Sequence, residues 1–164
     1  RFSRRYRDTS LVLDEQYSYE DVCRLLDWQR NLNAQNMGGY FYDKDSATLP
    51  VFINYEKAKD AIAYQDRFVS ESELIALSKK SRRTDSADAT HIYKRAEADR
   101  DNRIYLFVRR NKDDDEAKSF YFLGEVEAQG DPLPVKLSGE DAFEIRYRLE
   151  SPVRDDIYRY ITGA

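Results

Sequence analysis

The sequence predicts a single α+β domain, built on a curled antiparallel or mixed sheet, or a small barrel, with flanking helices. Three observations carry that prediction. The chain has 164 residues, 41% of them hydrophobic and 35% charged, which suits one core and an ample wet surface. Its second half holds three segments of strand periodicity separated by turn signals. Its first and last parts hold amphipathic segments with helix-start signals. The regular alternation of strands and helices that a doubly wound sheet requires is missing.

Residues 1–9 read as an arm or the end of a linker, crowded by Arg1, Arg4, Arg5 and Arg7, and residues 10–164 as one domain. The chain starts at Arg1, and the reading adopted is a piece of a longer protein. Ser18 with Asp21 resembles a capping box, Asp replacing the usual Glu. Val22, Leu25, Leu26 and the outlying Leu32 keep helical spacing, which predicts a helix over 19–30. Gly38 and Gly39 break the chain, and 49–55 reads as a strand. Residues 58–68 fit either helix or strand. Ser70 or Ser72 is expected to cap a short helix through Ala76 or Leu77, and 82–101 to be a loop or weak helix.

Ile104, Leu106 and Val108 alternate with Tyr105, Phe107 and Arg109, and 120–126 is a second strand, nearly apolar on both faces. Phe143, Ile145, Tyr147 and Leu149 alternate with Glu144, Arg146, Arg148 and Glu150, which predicts one buried and one wet face. An acidic loop at 113–116 joins the first two of these strands. A turn region with Gly130, Pro132, Pro134 and Gly139 joins the last two, giving an antiparallel meander. Ser151 is expected to cap a last helix, with Pro152 at its first position and Val153, Ile157 and Ile161 docking it.

Several chemistries lack their residues. One cysteine, Cys23, makes neither an internal disulfide nor a zinc site. One histidine, His91, has no second histidine or nearby cysteine and reads as a surface residue; metal centres and Ser–His–Asp triads need more partners. Gly38-Gly39 lacks the spacing and lysine of a phosphate loop. Glu56, Lys57 and Lys59, and Glu125, miss the Glu-x-Lys spacing of a metal-dependent nuclease. The expectation is a binding module with no catalytic residues, no metal and no cofactor. No apolar run is long enough for a membrane helix, so no membrane partner is expected and the cytoplasm is the default compartment.

Net charge is −4. That disfavours nucleic acid globally, because phosphates attract a positive field, yet a global sum hides local patches. Lys79, Lys80, Arg82 and Arg83 form one such patch, and Arg109, Arg110 and Lys112 another. The 13 tyrosines suit half-buried strands as well as stacking surfaces.

Short motifs in order add a resemblance. They are Tyr17-Ser18 with Asp21-Val22 and Leu25-Leu26-x-Trp28; Gly38-Gly39-Tyr40; Pro50-Val51-Phe52-Ile53-x-Tyr55; and Tyr64-x-Asp66-x-Phe68. Then come Ser78-x-x-Ser81-Arg82-Arg83-Thr84, Leu106 to Arg109, Phe120 to Val126, and Pro152 to Tyr158. Over 10–161 the chain resembles a C-terminal domain, catalogued as of unknown function, of bacterial superfamily 2 helicases, many with a phospholipase-D-type nuclease. The same family includes the C-terminal part of type IV restriction enzymes of the SauUSI kind, which cleave DNA containing modified cytosine. The resemblance implies an SRA- or PUA-like fold and a reader of modified cytosine, 5-methylcytosine included, by base flipping. The implied partners are double-stranded DNA and the helicase and nuclease domains of a parent chain. Similar members carry aromatics near Leu74 and Ala76, both aliphatic here.

In that role Tyr55, Tyr64 and Phe68 supply ring faces, with Tyr40 as a further candidate. Asp66 either accepts from the exocyclic amine of cytosine, or caps a turn or pairs with a lysine. In an extended segment Tyr64, Asp66 and Phe68 share a face. Ser78, Ser81, Arg82 and Arg83 either hold flanking phosphates or form a solvated helix end. The competing function is an intramolecular module that couples or restrains a helicase without reading bases.

Overall fold

The computed structural model describes residues 6, 7, 9–28, 42–55, 66–78, 81–110 and 119–163. Helix α1 (Tyr19–Leu25) starts where local chemistry dictates. Ser18 Oγ accepts from the Asp21 amide and the Asp21 carboxylate accepts from the Ser18 amide, both at 3.2 Å, so the capping box closes in both directions. That hydrogen bond from Ser18 holds the Asp21 carboxyl below its usual range. The helix is shorter than the predicted 19–30. Asp27 turns left-handed at φ +61°, and the buried Trp28 indole donates to Thr48 Oγ1 at 2.8 Å, which draws the chain towards the sheet. Leu32, Gly38 and Gly39 lie outside the described residues. Ser18→Ala is expected to destabilise the domain by about 1 kcal/mol in urea denaturation. An unchanged midpoint would contradict the capping role.

Among the described residues seven strands form one mixed sheet. They are β1 (Gln16–Tyr17), β2 (Thr48–Asn54), β3 (Arg67–Ser70), β4 (Glu73–Leu77), β5 (Arg103–Arg109), β6 (Phe120–Leu137) and β7 (Glu140–Leu149). The order is β2-β5-β6-β7-β4-β3, with β1 paired to the start of β6. β2 and β5 are parallel and the other pairs antiparallel, so the predicted meander β5-β6-β7 is present inside a mixed sheet. β2 and β3 stand at opposite ends of this order. Even so, the Phe68 amide donates to the Tyr55 hydroxyl at 3.0 Å, and the two rings stack 5.5 Å apart. Edge strands that touch in this way mean that the sheet curls towards closure.

Two cores explain the strand sequences. Leu49, Val51 and Ile53 of β2, Ile104, Leu106 and Val108 of β5, and the alternate residues Phe143 to Leu149 of β7 fill one, with α2 (Ala87–Ile92) and α3 (Asp155–Thr162) packed in. Phe52, Tyr105, Phe107, Phe120 and Phe122 turn to the other, beneath α1 and Trp28. β2 and β5 are thus covered on both faces, which is why they are apolar nearly throughout. β6 shifts its alternation between the two cores at a bulge. Leu106 pairs with Gly124 but Phe107 with Phe122, and Gly124 sits at φ +97°. Tyr6 and Leu11, at the start of the chain, pack into the second core.

Three predicted elements are corrected. The helix expected after Ser70 or Ser72 is instead a hairpin of β3 and β4, with the Ser72 amide bonded to Ser70 Oγ at 3.1 Å. Glu, Leu and Ala favour helix, but pairing of β4 with β7 and burial of Leu74, Ile75 and Ala76 outweigh that propensity. Leu74 and Ala76 face the first core. The turn region from Gly130 to Gly139 is mostly strand. β6 runs through it, Pro132 lies in the register shift between Gln129 and Leu133, and only Ser138-Gly139, both at positive φ, make the turn. The last helix has no Ser151 cap. Val153 first bonds to the Glu71 carbonyl at 2.9 Å, and α3 begins at Asp155 with Val153, Ile157 and Ile161 buried as expected. The predicted order of a helix, a strand, a helix, three strands and a helix changes accordingly.

Candidate functional site

The seam where β2 meets β3 collects three of the candidate base-binding residues. Tyr55 follows β2, Asp66 precedes β3 and Phe68 lies within it; all three are half-buried. Asp66 Oδ1 accepts from the Leu77 amide at 2.8 Å, which locks the start of β3 to the end of β4 and fixes the carboxylate. A carboxylate has about four acceptor positions, so it can take more than one donor at once. The Tyr158 ring of α3 meets Phe68 edge-on at 5.4 Å, and burial, then the neighbouring Tyr55 and Glu71, push its hydroxyl pKa up. At 5.5 Å, Tyr55 and Phe68 are in contact and leave no slot for a base between them. They offer outer faces only, or a slot after parting. Tyr64 and Tyr40 lie outside the described residues.

The candidate phosphate-binding set sits at the far end of β4. Ser78 exchanges two hydrogen bonds with Phe143, donating its amide to the carbonyl at 2.9 Å and accepting that residue's amide at 3.0 Å. The Ser81 hydroxyl donates to Glu140. Arg82 pairs with Asp88 at 3.1 Å and Arg83 with Asp85 at 3.3 Å. Asp141, whose pKa is lowered by its hydrogen bond to Lys136 and their attraction, lies close to Arg83. The cluster is therefore matched by carboxylates. Lys79 and Lys80 lie outside the described residues.

Sequence reasoning missed two arrangements. His91 is no simple surface residue. Its Nδ1 lies 2.8 Å from Asp99 Oδ1, its ring stacks on Tyr42 at 4.0 Å, and buried Asn102 donates to the same Asp99 oxygen at 3.1 Å. The partners come from a different turn, so no spacing announced them. Arg109, at the end of β5, donates to Asn54 and lies over the Phe120 ring at 4.3 Å and the Tyr19 ring at 5.8 Å. Burial raises the Tyr19 hydroxyl pKa and the Arg109 charge opposes that rise. Among the described residues no cluster of His, Cys, Asp or Glu fits a metal ion. No described helix is long and apolar enough to cross a membrane.

The family described as "Domain of unknown function (DUF3427)" matches residues 11–161. The chain belongs to this family. A comparison with curated proteins found no match. Solved structures supply the fold of this DUF3427 domain. It is similar to the SRA domain of SUVH5 in complex with fully methylated CG DNA, at 12% identity and a TM-score of 0.52 over 88% of this chain and 95% of that one. For the hemi-methylated CG complex the values are 13%, 0.54, 87% and 92%. For the methylated CHH complex they are 12%, 0.55, 94% and 99%. The curled mixed sheet of the DUF3427 domain is thus SRA-like, as the sequence resemblance implied.

Proposed function

We propose that this domain reads modified cytosine in duplex DNA by drawing the base out of the stack. It would serve as the target-recognition part of a cytoplasmic helicase and nuclease of the type IV restriction kind. The observation that supports this most is the seam itself: an SRA-like curl brings two aromatic rings and an anchored carboxylate to one place. The SUVH5 domains of similar fold were solved with methylated DNA. A flipped base needs stacking faces and a partner for its Watson–Crick edge, and Tyr55, Phe68 and Asp66 are of those types. Tyr64 and Tyr40 belong to the same proposal as further walls. The domain alone is proposed to cut no DNA and hydrolyse no nucleotide. A fluorescent base analogue beside the target cytosine tests the reading. Brightening on binding, confined to modified duplex, is expected; binding without brightening would remove base flipping.

Ser78, Ser81, Arg82 and Arg83 enter the proposal as phosphate contacts, with Arg82 and Arg83 exchanging Asp88 and Asp85 for DNA. Arg82→Ala with Arg83→Ala is then expected to weaken plain and modified duplex alike. It should also flatten the dependence of log K on log salt by about 0.9 for each phosphate no longer neutralised. Unchanged affinity would mark the cluster as surface only. The neutralised state of that cluster favours the second reading, a coupling module that contacts its parent helicase and no bases. Absence of duplex binding at low salt would select it.

A further inference from the structure

We propose that Lys94, Arg95 and Arg100 form a phosphate-binding pocket that takes the DNA backbone outside the base-reading seam. The three residues line a shallow cavity of about 430 Å³ between α2 and the start of β5, with Ala96 and Glu97. Elsewhere the described cations are commonly matched to carboxylates, as Arg146 is to Glu73 at 2.9 Å and Arg159 to Asp155 at 3.2 Å. Among the described residues Lys94, Arg95 and Arg100 have no carboxylate within ion-pair distance. Among the described residues Glu97 is the one acid lining the pocket, so its lining carries three positive charges and one negative in a chain whose net charge is −4, and the nearby Glu125 carboxylate feels the Lys94 charge from outside that lining. A concave positive patch of this kind concentrates field lines on an anion.

The backbone holds the cations in place. Helix α2 ends at Ile92, Lys94 takes φ +53°, and the Arg95 amide returns to the Thr90 carbonyl at 3.1 Å, which is a Schellman turn. Glycine is the usual residue at the left-handed position of such a turn, and a lysine there is strained. Arg95 Nη1 donates to the Thr84 carbonyl at 2.6 Å, and its guanidinium lies 5.5 Å from the Tyr93 ring centre. Its direction is therefore set before any ligand arrives. Helix-dipole compensation explains cations near a helix C-terminus. It does not explain why Arg100, beyond the 3-10 turn Glu97–Asp99, faces the same cavity.

The inference rests on the DNA-reading proposal, and the experiment separates the two. Binding of a plain and a modified duplex is measured across salt for the parent, Lys94→Gln with Arg100→Gln, Lys94→Gly, and Arg159→Gln as a control for net charge. The double variant is expected to weaken both duplexes equally and to lower the salt slope by roughly 1.8, about 0.9 for each phosphate contact. Selectivity for modification should stay at the parent value, and Arg159→Gln should leave the slope unchanged. Lys94→Gly relieves the strained turn, so its melting temperature should rise while its DNA affinity falls. A raised melting temperature with parental affinity, or a double variant with parental slope, would overturn the pocket. A parent that binds both duplexes equally, with a slope that still falls in the variant, would overturn base reading and leave the pocket standing.

Discussion

Gly124→Ala is expected to destabilise the domain by about 2–6 kcal/mol. A non-glycine residue at positive φ costs roughly 1–3 kcal/mol. Gly124 stands at φ +97°, where an added Cβ would also lie 3.2 Å from Leu13 Cδ1 and 3.4 Å from the Tyr6 ring. Crowding of that kind adds about 1–3 kcal/mol. The bulge at Gly124 shifts the alternation of β6 by one residue, so that Val126 enters the same core as Leu123; without it Val126 would turn to the face of Phe120 and Phe122. Guanidinium denaturation measures the loss. A change below about 1 kcal/mol would mean that the bulge does not depend on a left-handed residue.

Asp66→Asn is expected to erase most discrimination between modified cytosine and other bases while leaving the fold intact. Asparagine keeps a carbonyl oxygen for the Leu77 amide, which now donates to Asp66 Oδ1 at 2.8 Å. With that oxygen held, the new amide nitrogen is a donor where the proposal needs an acceptor for the exocyclic amine of cytosine. A well-placed edge contact is worth about 1–3 kcal/mol of discrimination. Stacking on the rings tolerates any base, so total affinity should fall less than selectivity. Asp66→Ala is a poorer test, because it also strips the Leu77 amide of its partner. Parental selectivity in a folded Asp66→Asn domain would withdraw Asp66 and direct attention to Tyr64, Tyr40 and Tyr55.

The legible parts of the fold are those with local causes. The capping box of Ser18 and Asp21 is a four-residue device, and the period of two in β7 records one buried face. β4 was illegible because its residues favour helix and its partner β7 lies far along the chain. Pro132 and Pro134 read as turn, although a ribbon with a register shift accommodates them. At the site, residue types pointed to Asp66 and Phe68, but the contact of Phe68 with Tyr55 joins opposite edges of the sheet and leaves no mark in sequence spacing. Arg82 and Arg83 looked open to a ligand until Asp88 and Asp85 emerged beside them. The cations at Lys94, Arg95 and Arg100 become a group only through the turn that ends α2.

The central claim is that this SRA-like domain distinguishes modified from plain cytosine. Its most direct test is a titration of the domain against two duplexes that differ only by a methyl group on carbon 5 of one cytosine, at one fixed salt concentration. The methylated duplex is expected to bind about tenfold tighter or better, a difference of roughly 1.4 kcal/mol. Equal affinities for the two duplexes would contradict the claim.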